Sequence, residues 1–259
     1  MEILAVNLGS TSVKCQAYLL PEEKEFLSRE YQINRMTHVI TFGTEKISFD
    51  PHESPYQKVF EHLRHAIGEH PWKAIVHRFV HGGVDPVNPT RITHEFIQSV
   101  QKWKAVLPLH VPFNIEGYEM CQKIFPEVPQ YAAFDNGCYN HFDPHVYEYA
   151  IPADYREKYL VRQYGYHGLS HEYAVNCVSE QSGIPLSKFR AVVCHLGGGS
   201  SMSAYANGRF VDTTMGLTAL TGLPMTTRCG TIDSALVFHL LRNSTMTVDE
   251  IETVLYKQS

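Results

Sequence analysis

The sequence lacks several things whose absence narrows what it can be. It contains no uninterrupted apolar run approaching the roughly 18 residues of a membrane-spanning helix. It has no Lys/Arg block, and its net charge of −5 leaves no electrostatic footprint for nucleic acid or an anionic membrane surface. No CxxC pair occurs among Cys15, Cys121, Cys138, Cys177, Cys194 and Cys229, so paired-thiol redox or zinc chemistry has no support; these residues read as reduced core thiols. No GxxxxGK[ST] loop is present, and Met202 breaks the one stretch that approaches GxGxxG. The N-terminus carries Glu2 and a short strand-like run where a secretory signal needs a basic and then an apolar segment, which predicts a cytoplasmic address.

What remains is the composition of a globular protein: 259 residues, 44% hydrophobic and 19% charged, long enough for one or two cores. Fifteen histidines invite a metal reading. "HGLSH" and "HFDPH" have i, i+4 spacing, but a glycine in one and a proline in the other argue against a helical ligand face.

Alternation predicts strands over 2–8 and 13–20, with shorter ones at 27–33, 38–42 and 46–49. Val59, Leu63, Ala66 and Ile67 recur at helical spacing within "YQKVFEHLRHAIGEH". The strand "KAIVHRFV" follows, then helices near 93–103 and 113–125 and the strand "YAAFD". Residues 139–165 are rich in aromatics and resist assignment, and a domain junction is placed there. Beyond them lie a helix near 169–181, the strands "RAVVCHL", "SMSAYA" and "RFVDT" with an Asn207-Gly208 type I′ turn, and two terminal helices, the second opened by a Thr247/Glu250 capping box.

Three features can carry chemistry. The turn after the first strand concentrates Asn7, Gly9, Ser10, Thr11, Ser12 and Lys14. Its amides, hydroxyls and ammonium suit an anion and the Asn7 oxygen suits Mg2+, although a solvated hairpin tip would look the same. Arg78 shares a strand face with Val76 and Val80; a guanidinium there holds either a substrate carboxylate or a structural acidic partner. "HLGGGSS" (His195 to Ser201) allows close backbone approach and a second anion cradle. Two donor-rich hairpins together suit the phosphate chain of a nucleoside triphosphate. Asp135 at a strand end, His167 and Arg228 complete the polar set.

The ordered segments "NLGSTSVK", "HRFVHGG", "LPLHVPFN", "FDNG", "RQYGYHGLSH", "CHLGGGSS", "DTTMGLTALTGL" and "TRCGTID" span nearly the whole chain. In that order they resemble the acetate kinase family of the acetate and sugar kinase–Hsc70–actin superfamily. The resemblance implies an α/β, two-domain, ribonuclease H-like fold, with a first domain over 1–145 and a partial second over 146–259. It implies transfer of the γ-phosphate of ATP to acetate with Mg2+, and a homodimer. By motif, Ser10, Ser12 and Lys14 would meet nucleotide phosphates, as would His195, Leu196, Gly197, Gly198 and Gly199. Asn7 would lie near Mg2+, Arg78 and His110 would bind the carboxylate substrate, and Asp135, His167 and Arg228 would be catalytic.

The sequence departs from the family pattern at Tyr139 (histidine in the family), Gly198 (asparagine), Val111 (asparagine), Thr221 (glutamate) and Thr231 (aspartate). Family members are also longer, so segments expected to hold adenosine and to complete the second domain have no counterpart. Three readings follow: an acetate kinase or its N-terminal portion, a propionate or butyrate kinase, or a non-catalytic relic that keeps the fold. An exposed sheet edge or apolar face is expected in the second domain.

Overall fold

A computed structural model describes residues 1–68, 70–108 and 110–259. Glu69, at the end of the first helical stretch, and Leu109, within "LPLHVPFN", lie outside the described residues. The chain divides into two compact units, Met1–Phe134 and Asp135–Ser259, where the sequence places the division near 145.

The first unit contains β1 (Glu2–Leu8), β2 (Ser12–Leu19), β3 (Lys24–Asn34), β4 (Val39–Phe42), β5 (Glu45–Ser48), α1 (Pro55–Ile67), β6 (Ala74–Phe79), β7 (Thr90–Arg91), α2 (His94–Gln101), α3 (Val111–Ile124) and β8 (Gln130–Phe134). Its strands form one sheet in the order β5-β4-β3-β2-β1-β6-β8-β7. β1, β6 and β8 run parallel at its centre and the remaining pairs are antiparallel. Alternation decides the buried face: Leu4, Val6 and Leu8 of β1, with Val13, Cys15 and Ala17 of β2, enter the core. α1 opens with Pro55 at its first turn and buries Tyr56, Val59, Phe60 and Leu63, one stripe of a 3.6-residue period, before ending at Gly68. α3 packs against α1 and against β1 and β6.

The second unit contains α4 (Pro144–Tyr147), α5 (Ala153–Tyr159), α6 (Gly168–Ser182), β9 (Arg190–Leu196), β10 (Ser200–Ala206), β11 (Arg209–Thr213), α7 (Ala235–Asn243) and α8 (Val248–Lys257). The strands form an antiparallel sheet in the order β11-β10-β9. Asn207 and Gly208 both have positive φ at the β10–β11 turn, and Thr247 and Glu250 close a full capping box on α8. The stretch that resisted assignment holds two short helices, α4 and α5, with no buried residue in either. Tyr139, Phe142, Val175, Phe189, Tyr205 and Phe210 form the core on one side of the sheet.

The other face of β9 is open. Val192 is 63% and Leu196 71% exposed, Cys194 between them is exposed, and α7 buries none of its residues. The sequence reading of every cysteine as a core thiol is corrected at Cys194: "AVVCHL" is apolar enough for a two-sided strand, but only the Ala191/Val193 side is packed. No helix among the described residues is long and apolar enough to cross a membrane.

Candidate active-site residues in the two units

In the first unit the polar turn is pinned from behind. The Gly9 carbonyl accepts from the Tyr56 hydroxyl at 2.8 Å, and Ser10 O accepts from Arg35 Nε at 3.2 Å. Thr11 O accepts from Ile33 N–H at 2.7 Å and Ser12 O from Gly9 N–H at 2.8 Å. The Ser10 and Thr11 N–H groups donate to no acceptor among the described residues. A turn whose carbonyls are committed while successive amides stay available is the electrostatic pattern of an anion cradle. Arg35 is held over the rings of Tyr56 and Phe113, at 5.5 and 5.3 Å from their centroids. Burial pushes the Tyr56 phenol up to about 12, which keeps it a donor.

Asn7, Lys14 and Arg78 sit in one row across three adjacent strands: Asn7 pairs with Lys14 on β2 and with Arg78 on β6. Arg78 lies on the less buried face of β6 and donates from Nη1 to Asn7 Oδ1 at 3.2 Å. Lys14 is paired with Glu30 at 3.4 Å, both side chains about half exposed, so the pair contributes little and leaves the ammonium free to move. His110, half-buried, is the N-cap residue of α3, directly before the buried Val111.

In the second unit Asp135 is buried and its carbonyl accepts the Gly168 N–H at 2.8 Å, capping α6. A Cβ on Gly168 would collide with that carbonyl and with Cys138, so glycine is required. His167 precedes it as the N-cap, in the left-handed region at φ 63°, a conformation uncommon for a side chain of this size. His167 Nδ1 lies 2.9 Å from Ser201 Oγ, and His171 Nε2 lies 2.9 Å from the same oxygen. His195 stacks on His167 at 4.0 Å between centroids and places Nδ1 3.0 Å from Ser170 Oγ.

The Gly197–Gly199 turn joins β9 to β10, with Leu196, Gly197 and Gly198 exposed. His167 and Arg228 meet at Gly199. A Cβ there would stand 3.3 Å from His167 Nε2 and Cε1 and 3.7 Å from Arg228 Nη1. Arg228 donates to Ala219 O at 3.0 Å, and burial lowers the pKa of its guanidinium from the usual value.

The departures from the family pattern have local accounts. Tyr139 is a core residue whose hydroxyl donates to Tyr166 O at 3.2 Å and lies 2.9 Å from Ser203 Oγ. Thr221 Oγ1 accepts from Gly216 N–H at 2.9 Å, and Thr231 Oγ1 from Gly222 N–H at 3.0 Å, so both pin turns. Gly198 opens onto empty space. Sequence reasoning missed Arg35, Tyr56, Ser170, His171 and Ser201. The "HGLSH" spacing was the available signal for His171; its glycine does not separate the two rings, because His167 caps the helix that carries His171.

Each unit of this α/β fold carries one glycine-containing hairpin turn, Gly9 to Ser12 in the first and Gly197 to Gly199 in the second. The model of the acetokinase family matches residues 2–259, and the chain belongs to that family. It is 35% identical to an acetate kinase of Halothermothrix orenii over 274 aligned residues, covering 100% of this chain and 68% of that protein. A propionate kinase structure from Francisella tularensis superimposes with a TM-score of 0.90 at 35% identity, covering 100% of this chain and 68% of the other. Acetate kinase from Porphyromonas gingivalis gives 0.87 at 29% identity, again with 100% and 68% coverage.

Proposed function

We propose that the chain carries out acetate kinase-type phosphoryl transfer, ATP + acetate ⇌ ADP + acetyl phosphate. An acetate oxygen forms the new bond to the γ-phosphorus. The bond from that phosphorus to the β–γ bridging oxygen breaks, and ADP leaves with the electron pair. A carboxylate needs no deprotonation to attack, so the protein's task is alignment and charge neutralisation. The observation that carries this reading is the approach of His167 Nε2 and Arg228 Nη1 to the Gly199 backbone, two donors beside a glycine turn able to receive phosphate.

In this reading Arg78 holds the acetate carboxylate through its fork, with Asn7 fixing the guanidinium and His110 assisting. The Ser10–Ser12 turn with Lys14, and the turn from His195 to Gly199, bind the nucleotide phosphates. His167 and Arg228 donate to the phosphoryl oxygens, each such donor typically contributing about 3–4 kcal/mol. Beside Asn7, which the resemblance puts near Mg2+, the buried Asp135 carboxylate is a second oxygen donor, of the type that suits a hard cation. Asn7 fits less well as a direct ligand, since its Oδ1 accepts from a guanidinium. Mg2+, when bound, would neutralise charge on the phosphate oxygens. Asp135 orients, and no proton transfer is assigned to it.

Propionate is a second acceptor to be weighed, because the propionate kinase superimposes with the TM-score of 0.90. The test incubates the chain with ATP, Mg2+ and either acid and traps acyl phosphate with hydroxylamine. Hydroxamate that depends on the acid supports the reading, and the faster acid names the substrate. Its absence from folded protein with either acid would leave a non-catalytic member of the family.

A further inference from the structure

We infer that Ser201 and His171 are positioning residues for His167: hydrogen bonds from His171 Nε2–H to Ser201 Oγ, and from Ser201 O–H to His167 Nδ1, hold the His167 proton on Nε2, the nitrogen facing Gly199. Ser201 Oγ is buried and lies 2.9 Å from each ring, with one proton to give and lone pairs to receive. It cannot donate to both rings.

The direction of the chain is set at its buried end. His171 is fully buried, and burial, reinforced by His195, lowers its pKa to about 4 against the opposing charge of Asp135. The ring is therefore neutral at pH 7 and carries a single N–H. Its Nδ1 is buried with no hydrogen-bond partner among the described residues. A proton on Nδ1 would strand a buried donor, whereas on Nε2 it meets Ser201. The Ser201 oxygen then receives that bond and its own hydrogen is left for His167 Nδ1. With Nδ1 an acceptor, a His167 ring that carries a single proton carries it on Nε2.

The consequence is a donor, not a lone pair, at the edge of the ring that meets Gly199. A bare nitrogen there would repel a phosphoryl oxygen, and an N–H would bind it. The catalytic meaning rests on the phosphoryl-transfer reading above; the tautomer itself does not.

The test is nitrogen NMR of the histidine side chains in the full 259-residue chain, without substrate and at a pH where the rings are neutral. The His167 signals are identified by their loss in His167→Gln. The expected wild-type result is an unprotonated Nδ1 and a protonated Nε2. Ser201→Ala and His171→Leu should each admit the Nδ1–H form, and His171→Gln, whose amide can still donate to Ser201, should restore the wild-type pattern. Should Ser201→Ala fail to fold, the His171→Leu and His171→Gln pair carries the comparison. A proton on Nδ1 in the wild type, or a tautomer unchanged in the folded variants, would overturn the inference. Hydroxamate formation measured alongside separates the two claims: the expected tautomer without activity removes the kinase reading, and activity with an indifferent tautomer removes the relay.

Discussion

Arg78 Nη1 donates to Asn7 Oδ1 at 3.2 Å, a bond between parallel neighbours at matching positions of β6 and β1. It ties the arginine assigned to the carboxylate to the strand that leads into the polar turn. Arg78→Ala should lower the catalytic efficiency for acetate by about 10²-fold or more, and Arg78→Lys should recover little, since an ammonium has no two-pronged geometry. Asn7→Ala should raise the KM for acetate with a smaller change in kcat, because it removes one support of the guanidinium and leaves the guanidinium itself in place. Steady-state kinetics with acetate varied at saturating ATP checks both.

The turn that follows should depend on the groups behind it. Arg35→Ala releases the Ser10 carbonyl, and Tyr56→Phe releases that of Gly9. Each should weaken ATP binding by roughly 5–10-fold, the scale of one hydrogen bond. Glu30→Gln should leave stability within about 0.5 kcal/mol of wild type, because its pair with Lys14 is half exposed. Titration calorimetry and urea unfolding measure these effects.

Gly199→Ala tests the meeting of His167 and Arg228. Its methyl would stand 3.3 Å from the His167 ring, so that ring must give by a few tenths of an ångström. Phosphoryl transfer should slow by about 10-fold or more while the melting temperature changes little, because the fault is one of alignment.

Acid should destabilise the first unit through two buried histidines. Burial lowers His77 to about 4 and His81 to about 3, while the unfolded chain takes up these protons near 6.5. Folded pKa values below the unfolded ones mean that the unfolded state binds more protons. Stability is therefore fully present above pH 6.5 and falls as the pH drops toward 4. By pH 5 each histidine should cost about 2 kcal/mol. Urea midpoints at pH 7.5 and pH 5 should show the fall, and His77→Gln should reduce it.

The open face of β9 should bind an apolar dye. Val192 and Leu196 present their side chains with no cover in the second unit. The fluorescence of anilinonaphthalene sulfonate should rise with wild type and drop in a Val192→Lys/Leu196→Lys double variant that melts at the same temperature.

What could be read from the sequence was mainly local. The Asn207-Gly208 turn, the Thr247/Glu250 box and the helical stripe of α1 each follow from residues a few positions apart. The strands β1 and β2 follow from alternation. The open face of β9 did not, because "AVVCHL" looks the same whether one side or both are packed, and only tertiary structure decides. The supports of the candidate site were equally hidden. Arg35 reaches Ser10 across 25 positions, and Ser201 reaches His171 across 30, with no periodicity to announce either. Tyr139 marked a departure from a motif; its role in the second core appears only with Phe142 tilted against its ring and Phe210 meeting it edge-on.

The most direct test of the central claim follows an oxygen atom. The chain is given acetate labelled with oxygen-18 in its carboxylate, together with ATP and Mg2+, and the product is trapped with hydroxylamine. Attack by the acetate oxygen predicts hydroxamate and one oxygen-18 in the phosphate released with it, because hydroxylamine cleaves the carbon–oxygen bond. Unlabelled phosphate without hydroxamate would mean that ATP is hydrolysed by water, and would contradict transfer to the carboxylate.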